Sequence, residues 1–303
     1  MISGENLNKI KTSKPLILNG AIGTELIRKG VDLPLPLWSA EANLTHPNIV
    51  MNIQRDYVAA GADILTTNTF RTTSYTYRKA GYSKEKAKER ARDSLMSAVD
   101  LARQAAGETV NVAGSITALE DCYTPELYPG KGAAEDIYGE IIEWFNEAGV
   151  DFLLFETMGN LDEIHIALET NHVVNNDCWV SLILKDSEHI LDGHALKECI
   201  NMINEFPVSC LLLNCNKIET TNSAMDLFLS LWTKEWGVYP NLGLTDFDND
   251  YFDIINDSNF SDSITLYLDQ NPAVIGACCG STPRHIEILK SLILKREKYA
   301  SKD

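Results

Sequence analysis

The chain has 303 residues, with 26 Lys+Arg against 43 Asp+Glu and a formal net charge of −17. At 45% hydrophobic and 23% charged residues it is a globular composition, and about 300 residues suit one large domain, such as an α/β barrel, or two ordinary ones. The acidic excess disfavours nucleic acid and anionic membrane surfaces as partners. The N-terminus lacks the apolar core of a signal peptide, and no apolar run approaches the roughly 18 residues of a spanning helix. Seven cysteines, two of them adjacent, do not make a secreted disulfide framework, so the expected location is the cytoplasm.

Short apolar runs alternate with helical patterns along the chain. Leu16-Ile17-Leu18 reads as a first strand, followed by the turn-prone Asn19-Gly20-Ala21-Ile22-Gly23. Pro47 to Ala60 reads as a helix with Ile49, Val50, Ile53, Tyr57 and Val58 on one face. Asp63-Ile64-Leu65 is a second strand, Ser83 to Ala106 a long helix capped by Ser83, and Val110 to Ala113 a third strand. Helices are expected at Ala133 to Ala148, Leu161 to Val173, Ala195 to Glu205 and Thr221 to Trp236. Between and after them come strands at Asp151 to Phe155, Trp179 to Leu184, Val208 to Leu213 and, weakly, Val238-Tyr239-Pro240. The acidic stretch Asp246 to Asp262 reads as a loop-like insertion. Ala273 to Gly276 forms the last strand, before a helix from Pro283 to Lys298 with proline at its start.

Eight strand–helix units imply parallel strands with right-handed crossovers, and on this length a (β/α)₈ TIM-type barrel, with a doubly wound sheet as the alternative. No linker interrupts the pattern, so residues 1–303 are expected to form one domain. In a barrel the active site lies at the C-terminal ends of the strands. Asn19-Gly20, Asn68-Thr69, Gly114-Ser115, Glu156-Thr157, Asn214-Cys215 and Cys278-Cys279 all fall there and would converge on one mouth.

Cys215, Cys278 and Cys279 are the strongest candidates for chemistry. Three thiolates from two strand ends can hold a zinc ion with one position open, the arrangement of a catalytic site, where a substrate thiol would lose its proton. Neighbouring residues on a regular strand face opposite ways, so both Cys278 and Cys279 reach one metal only if the strand ends or bulges, as Gly276 and Gly280 permit. From the residues alone, Cys215 also suits a small core residue, and the Cys278–Cys279 pair a core pair or vicinal disulfide. Cys122, Cys178, Cys199 and Cys210 read as packing residues, Cys122 in a loop that looks exposed. The six histidines, His46, His165, His172, His189, His194 and His285, read as structural or solvated. Trp38 and Phe70 are candidates for the pocket wall.

Five segments in order, Asn19-Gly20-Ala21-Ile22-Gly23-Thr24-Glu25-Leu26, Pro36-Leu37-Trp38-Ser39-Ala40, Ala60 to Phe70, Asn214-Cys215 and Gly276-Ala277-Cys278-Cys279-Gly280, resemble the motifs of the homocysteine S-methyltransferase family. The resemblance implies a zinc-binding (β/α)₈ barrel with Cys215, Cys278 and Cys279 as ligands to Zn2+. It implies Glu156 as anchor for the amino group of homocysteine, Gly20 and Ala21 near its carboxylate, and Asn19, Asn68 and Thr69 as further substrate-binding residues. The family commonly has aspartate before the first glycine; Asn19 here keeps an acceptor for ammonium but lacks the charge. Ala277 stands where glycine is usual.

The implied reaction carries a methyl group from a cationic donor to the homocysteine thiolate, giving methionine. S-methylmethionine or S-adenosylmethionine is the expected donor, with a betaine or thetin donor, or another thiol acceptor, as alternatives. With 303 residues, cobalamin and folate modules are not expected beside the barrel, and a methyltetrahydrofolate donor is expected only if separate chains supply the cobalamin. Glu120, Asp121 and Tyr123 of the loop after the third strand are expected near the donor, where they would attract and pack a cation. Readings of another class are a zinc- or thiol-binding protein without turnover and a redox protein using the Cys278–Cys279 pair.

Overall fold

A computed structural model describes residues 14–246 and 251–300. Its strands, in chain order, are β1 (Leu16–Ile17), β2 (Ile64–Thr66), β3 (Asn111–Ile116), β4 (Phe152–Met158), β5 (Cys178–Leu182), β6 (Val208–Asn214), β7 (Glu235–Tyr239), β8 (Gly243–Asp246), β9 (Tyr251–Ile254) and β10 (Val274–Ile275). Eight of them form one parallel sheet in the order β1-β10-β7-β6-β5-β4-β3-β2. A parallel bridge between Leu18 and Ile64 joins the two ends, so the sheet curls into the expected (β/α)₈ barrel.

That closure is short and stitched by side chains. Asp63 N–H donates to the Ile17 carbonyl at 2.8 Å and Asn19 N–H to the Ile64 carbonyl at 2.9 Å. On either side, the Asp63 carboxylate accepts from Ile17 N–H at 2.9 Å, and Asn19 Oδ1 accepts from Thr66 N–H at 3.0 Å. The same device recurs where the Asp151 carboxylate accepts from Val112 N–H.

Strand residues are buried on both faces, as parallel strands between a filled interior and a helical shell must be. Along β6, Cys210 and Leu212 point into the barrel with Leu18, Ile64, Phe152, Leu154, Trp179 and Val274, while Leu211 and Leu213 face the helices. The helices Pro47–Ala60, Lys84–Ala106, Lys131–Ala148 and Leu161–Val174 supply the outer layer through buried stripes such as Val50, Ile53 and Tyr57. No helix among the described residues is long and apolar enough to cross a membrane.

Two expectations are corrected. The helix expected to reach Trp236 spans Ile218–Leu231 and stops at Trp232, whose indole N–H donates to the Glu235 carbonyl at 2.8 Å. Phe228, Trp232 and Trp236 are spaced like one helical face, but Trp236 is buried on strand β7. The acidic stretch is not a loop: β8 and β9 pair antiparallel, and a helix follows at Asp257–Leu268. Asn256 caps that helix by accepting from Asn259 N–H at 2.9 Å, and Phe260, Ile264, Tyr267 and Leu268 are buried beneath its acids. Residues 247–250 of that stretch lie outside the described residues. Helices at Ile22–Arg28 and Ser74–Lys79 add to those read from the sequence.

Candidate active site

The alternation along β6 explains why Cys215 needs a bend. Cys210, Leu212 and Asn214 face inward, so a regular continuation would turn Cys215 out toward the helices. Instead Cys215 adopts φ 54°, which rolls its side chain back to the barrel mouth, and its N–H donates to the Tyr239 carbonyl at 3.2 Å. Thr157, after Glu156 on β4, does the same at φ 57°. This conformation is costly for a β-branched residue, and Asn214 holds it. Its Oδ1 accepts from Thr157 N–H at 3.0 Å and from the Ser181 hydroxyl at 2.7 Å, while its Nδ2 donates to Thr157 Oγ1 at 2.8 Å.

Cys278 and Cys279 lie past the end of β10, not on it. Cys278 N–H donates to the Pro240 carbonyl at 2.8 Å, and Ser281 N–H closes a tight turn onto the Cys278 carbonyl at 3.0 Å. The turn puts Gly280 at φ 84°, where a Cβ would also lie 2.6 Å from Ile254 Cγ2. The strand end that both cysteines require is therefore present.

The three sulfurs meet. Cys278 Sγ is 2.8 Å and Cys279 Sγ 3.5 Å from Cys215 Sγ, all three lie within 4.8 Å of one another, and all seven cysteines are free thiols. The S–H groups of Cys278 and Cys279 donate to Cys215 and pull its pKa well below the usual thiol value; their own are raised, because each holds its proton in that hydrogen bond and is buried beside the other sulfurs. The Tyr123 hydroxyl stands 3.2 Å from Cys215 Sγ, a contact the sequence did not suggest. Three soft, convergent thiols with one side facing the cavity fit a zinc ion bound with an open position.

That cavity, about 1240 Å³, is also lined by Asn19, Gly20, Ala21, Asn68, Glu156 and Tyr239. Glu156 accepts hydrogen bonds from the Ser115 hydroxyl and, at 3.1 Å, from the Tyr239 hydroxyl. Burial nevertheless raises its pKa to about 7, because the desolvation of its charge outweighs these two donors. Gly20 is needed for close approach: a Cβ there would lie 2.6 Å from both Ser281 Oγ and the Tyr57 ring. Ala21 N–H already donates to Ser281 Oγ at 2.9 Å.

The remaining candidates sort by where their polar atoms go. Asn68 reaches the cavity, with its amide donating to the Ser39 carbonyl and to Asn43 Oδ1. Thr69 is buried behind the wall, its hydroxyl donating to the Ser115 carbonyl at 2.7 Å. Trp38 and Phe70 line the cavity, and no histidine does. Cys122 is buried although its loop is exposed, and like Cys178, Cys199 and Cys210 its thiol pKa is raised by burial. Glu120 and Asp121 are not bare anions: Lys79 pairs with Glu120, and Arg71 with Asp121 at 3.3 Å.

Comparison with known proteins agrees with this geometry. The family model described as homocysteine S-methyltransferase matches residues 16–293. The chain is 28% identical to the homocysteine S-methyltransferase of Escherichia coli, over 91% of this chain and 94% of that one. It is 27% identical to a selenocysteine Se-methyltransferase of Brassica oleracea, over 94% of this chain and 91% of that one. Among solved structures it resembles the E. coli homocysteine methyltransferase MmuM in its metallated form, with a TM-score of 0.81, 27% identity, and coverage of 95% of this chain and 99% of that one.

Proposed function

The chain belongs to the homocysteine S-methyltransferase family, and from that membership we propose that it transfers a methyl group from a cationic donor to the sulfur of homocysteine, yielding methionine. The observation that carries the reading is the convergence of the Cys215, Cys278 and Cys279 sulfurs at one end of a cavity whose wall also holds Glu156.

Cys215, Cys278 and Cys279 would hold the zinc ion. When bound, it supplies Lewis acidity that lets a substrate thiol lose its proton at neutral pH. The protein's own residues do the rest. Glu156, kept in one orientation by Ser115 and Tyr239, takes the substrate ammonium, and that positive charge restores the carboxylate that burial disfavours. Asn214 keeps the strand end next to Glu156 in its strained form, which fixes the distance between ammonium and sulfur sites. Trp38 and Phe70 wall the cavity with apolar surface that excludes water and packs the donor. Asn68, Gly20 and Ala21 complete the wall, and Thr69 supports it from behind.

A sulfonium donor, S-methylmethionine or S-adenosylmethionine, suits the site best, because no general acid is required and a thioether, far less basic than a tertiary amine, is the better leaving group. A quaternary ammonium donor such as betaine is the second choice. The test is methionine formation by zinc-loaded protein from homocysteine and a panel of S-methylmethionine, S-adenosylmethionine, betaine and dimethylsulfoniopropionate. Turnover with a sulfonium supports the reading, and no methionine from any donor rejects it.

A further inference from the structure

Asn19 lines the cavity and is only 2% exposed, and its two amide atoms are in different situations. Oδ1 accepts from Thr66 N–H at 3.0 Å and from the Thr66 hydroxyl at 3.2 Å. Nδ2 is buried and has no hydrogen-bond partner among the described residues. The orientation is fixed by chemistry. A backbone N–H can only donate, so turning the amide over would set one donor against another at Thr66 and leave that buried N–H unpaired, even though the Thr66 hydroxyl could turn to accept. The atom Asn19 has left to offer is therefore a donor.

This changes what the position can bind. The acceptor that an ammonium would need is committed to Thr66, and a second N–H donor meeting Nδ2 is repulsive. Elsewhere in the cavity the polar balance is already divided: Ser115 and Tyr239 donate to Glu156, and Ala21 N–H donates to Ser281. Glu156 is thus the group for a cation, and Asn19 a group for a lone pair. We propose that Asn19 is a specificity-determining residue whose Nδ2 receives the carboxylate of the thiol substrate, so that the cavity selects thiols bearing an acceptor at that end and holds the ammonium at Glu156 alone. The inference rests on the reading of this cavity as the thiol-substrate site.

Asn19→Asp tests it with a predicted sign. The isosteric carboxylate keeps the acceptor for Thr66, so the barrel seam and zinc content stay as in the native protein, while the free atom becomes an acceptor. Binding to zinc-loaded protein is measured by calorimetry at mildly alkaline pH for three thiols: homocysteine, 4-mercaptobutanoate, which lacks the amine, and 3-mercaptopropylamine, which lacks the carboxylate. The expected result is a loss of at least about tenfold for the two carboxylated thiols, with 3-mercaptopropylamine not weakened. Asn19→Ala, which removes the donor without adding charge, should weaken the same two by a smaller factor. Unchanged or tighter binding of homocysteine to Asn19→Asp, or equal weakening of all three thiols, overturns the proposal. So does native protein that binds none of them. Thiol binding with this pattern but no methyl transfer from any donor would uphold the assignment of Asn19 and reject the methyltransferase reading instead.

Discussion

The Tyr123 hydroxyl lies 3.2 Å from the Cys215 sulfur, although its residue sits on the exposed loop after β3, 92 positions away in sequence. The contact helps hold the Cys215 pKa down, and a negative sulfur in turn raises the tyrosine's own pKa. The rim of the cavity and its thiol cluster are thereby one hydrogen-bonded unit. In zinc-free protein, Tyr123→Phe should raise the Cys215 pKa, because a hydrogen bond that favours the thiolate is lost. The rate of alkylation by iodoacetamide against pH reads this directly, and an unshifted profile would contradict it.

Metal retention should follow the three sulfurs together. Native protein is expected to hold about one zinc per chain, and Cys215→Ala, Cys278→Ala or Cys279→Ala should each lose most of it and all methyl transfer, with the circular dichroism of the barrel kept. A chelator should abolish activity and added zinc restore it. Full zinc content in Cys215→Ala would place the metal elsewhere.

Glu156 gives a pH-dependent stability with a defined sign. Its pKa rises from 4.5 to about 7 on folding, so the protonated form favours the native state. That contribution is complete below the unfolded value and is lost as pH rises through about 7. In zinc-free protein without substrate, Glu156→Gln should match the native protein near pH 4.5 and exceed its stability at alkaline pH by up to about 3 kcal/mol. Urea unfolding at the two pH extremes measures it. In the loaded enzyme the same substitution should raise the KM for homocysteine while leaving zinc bound.

Asn214 should matter through the residue it holds. Asn214→Ala leaves the buried Thr157 N–H unpaired and releases a strained residue next to Glu156. A loss of about 1–3 kcal/mol in stability is expected, together with a higher KM for homocysteine. Thermal unfolding and steady-state kinetics would show both, and a change in neither would mean that Thr157 holds its conformation unaided.

The barrel and the three cysteines could be read from sequence because each depends on a local pattern: apolar runs at strand length, helices with caps, thiols at strand ends. What could not be read depended on pairing across distance. Nothing near Tyr123 announces a contact with Cys215, and nothing near Asn19 shows that Thr66 claims its oxygen. The spacing of Phe228, Trp232 and Trp236 carried the helix too far because four-residue spacing looks alike whether the last tryptophan packs from a helix or a strand. The acids of residues 246–262 masked the stripe Phe260, Ile264 and Tyr267, since charge density suggested a loop where one face was apolar. The apparent acidity of the loop carrying Glu120 and Asp121 was likewise a property of sequence alone, for Lys79 and Arg71 come from a different segment.

The seam between β1 and β2 gives Asn19 a second consequence. The side chain that faces the cavity also closes the cylinder, through Thr66 N–H. A ligand that fixes the Asn19 amide therefore tightens the joint between the two ends of the sheet, and a loosened joint loosens the pocket. Hydrogen exchange at the Thr66 amide becomes a reporter of occupancy, slowing as substrate binds, even though that amide makes no contact with the substrate.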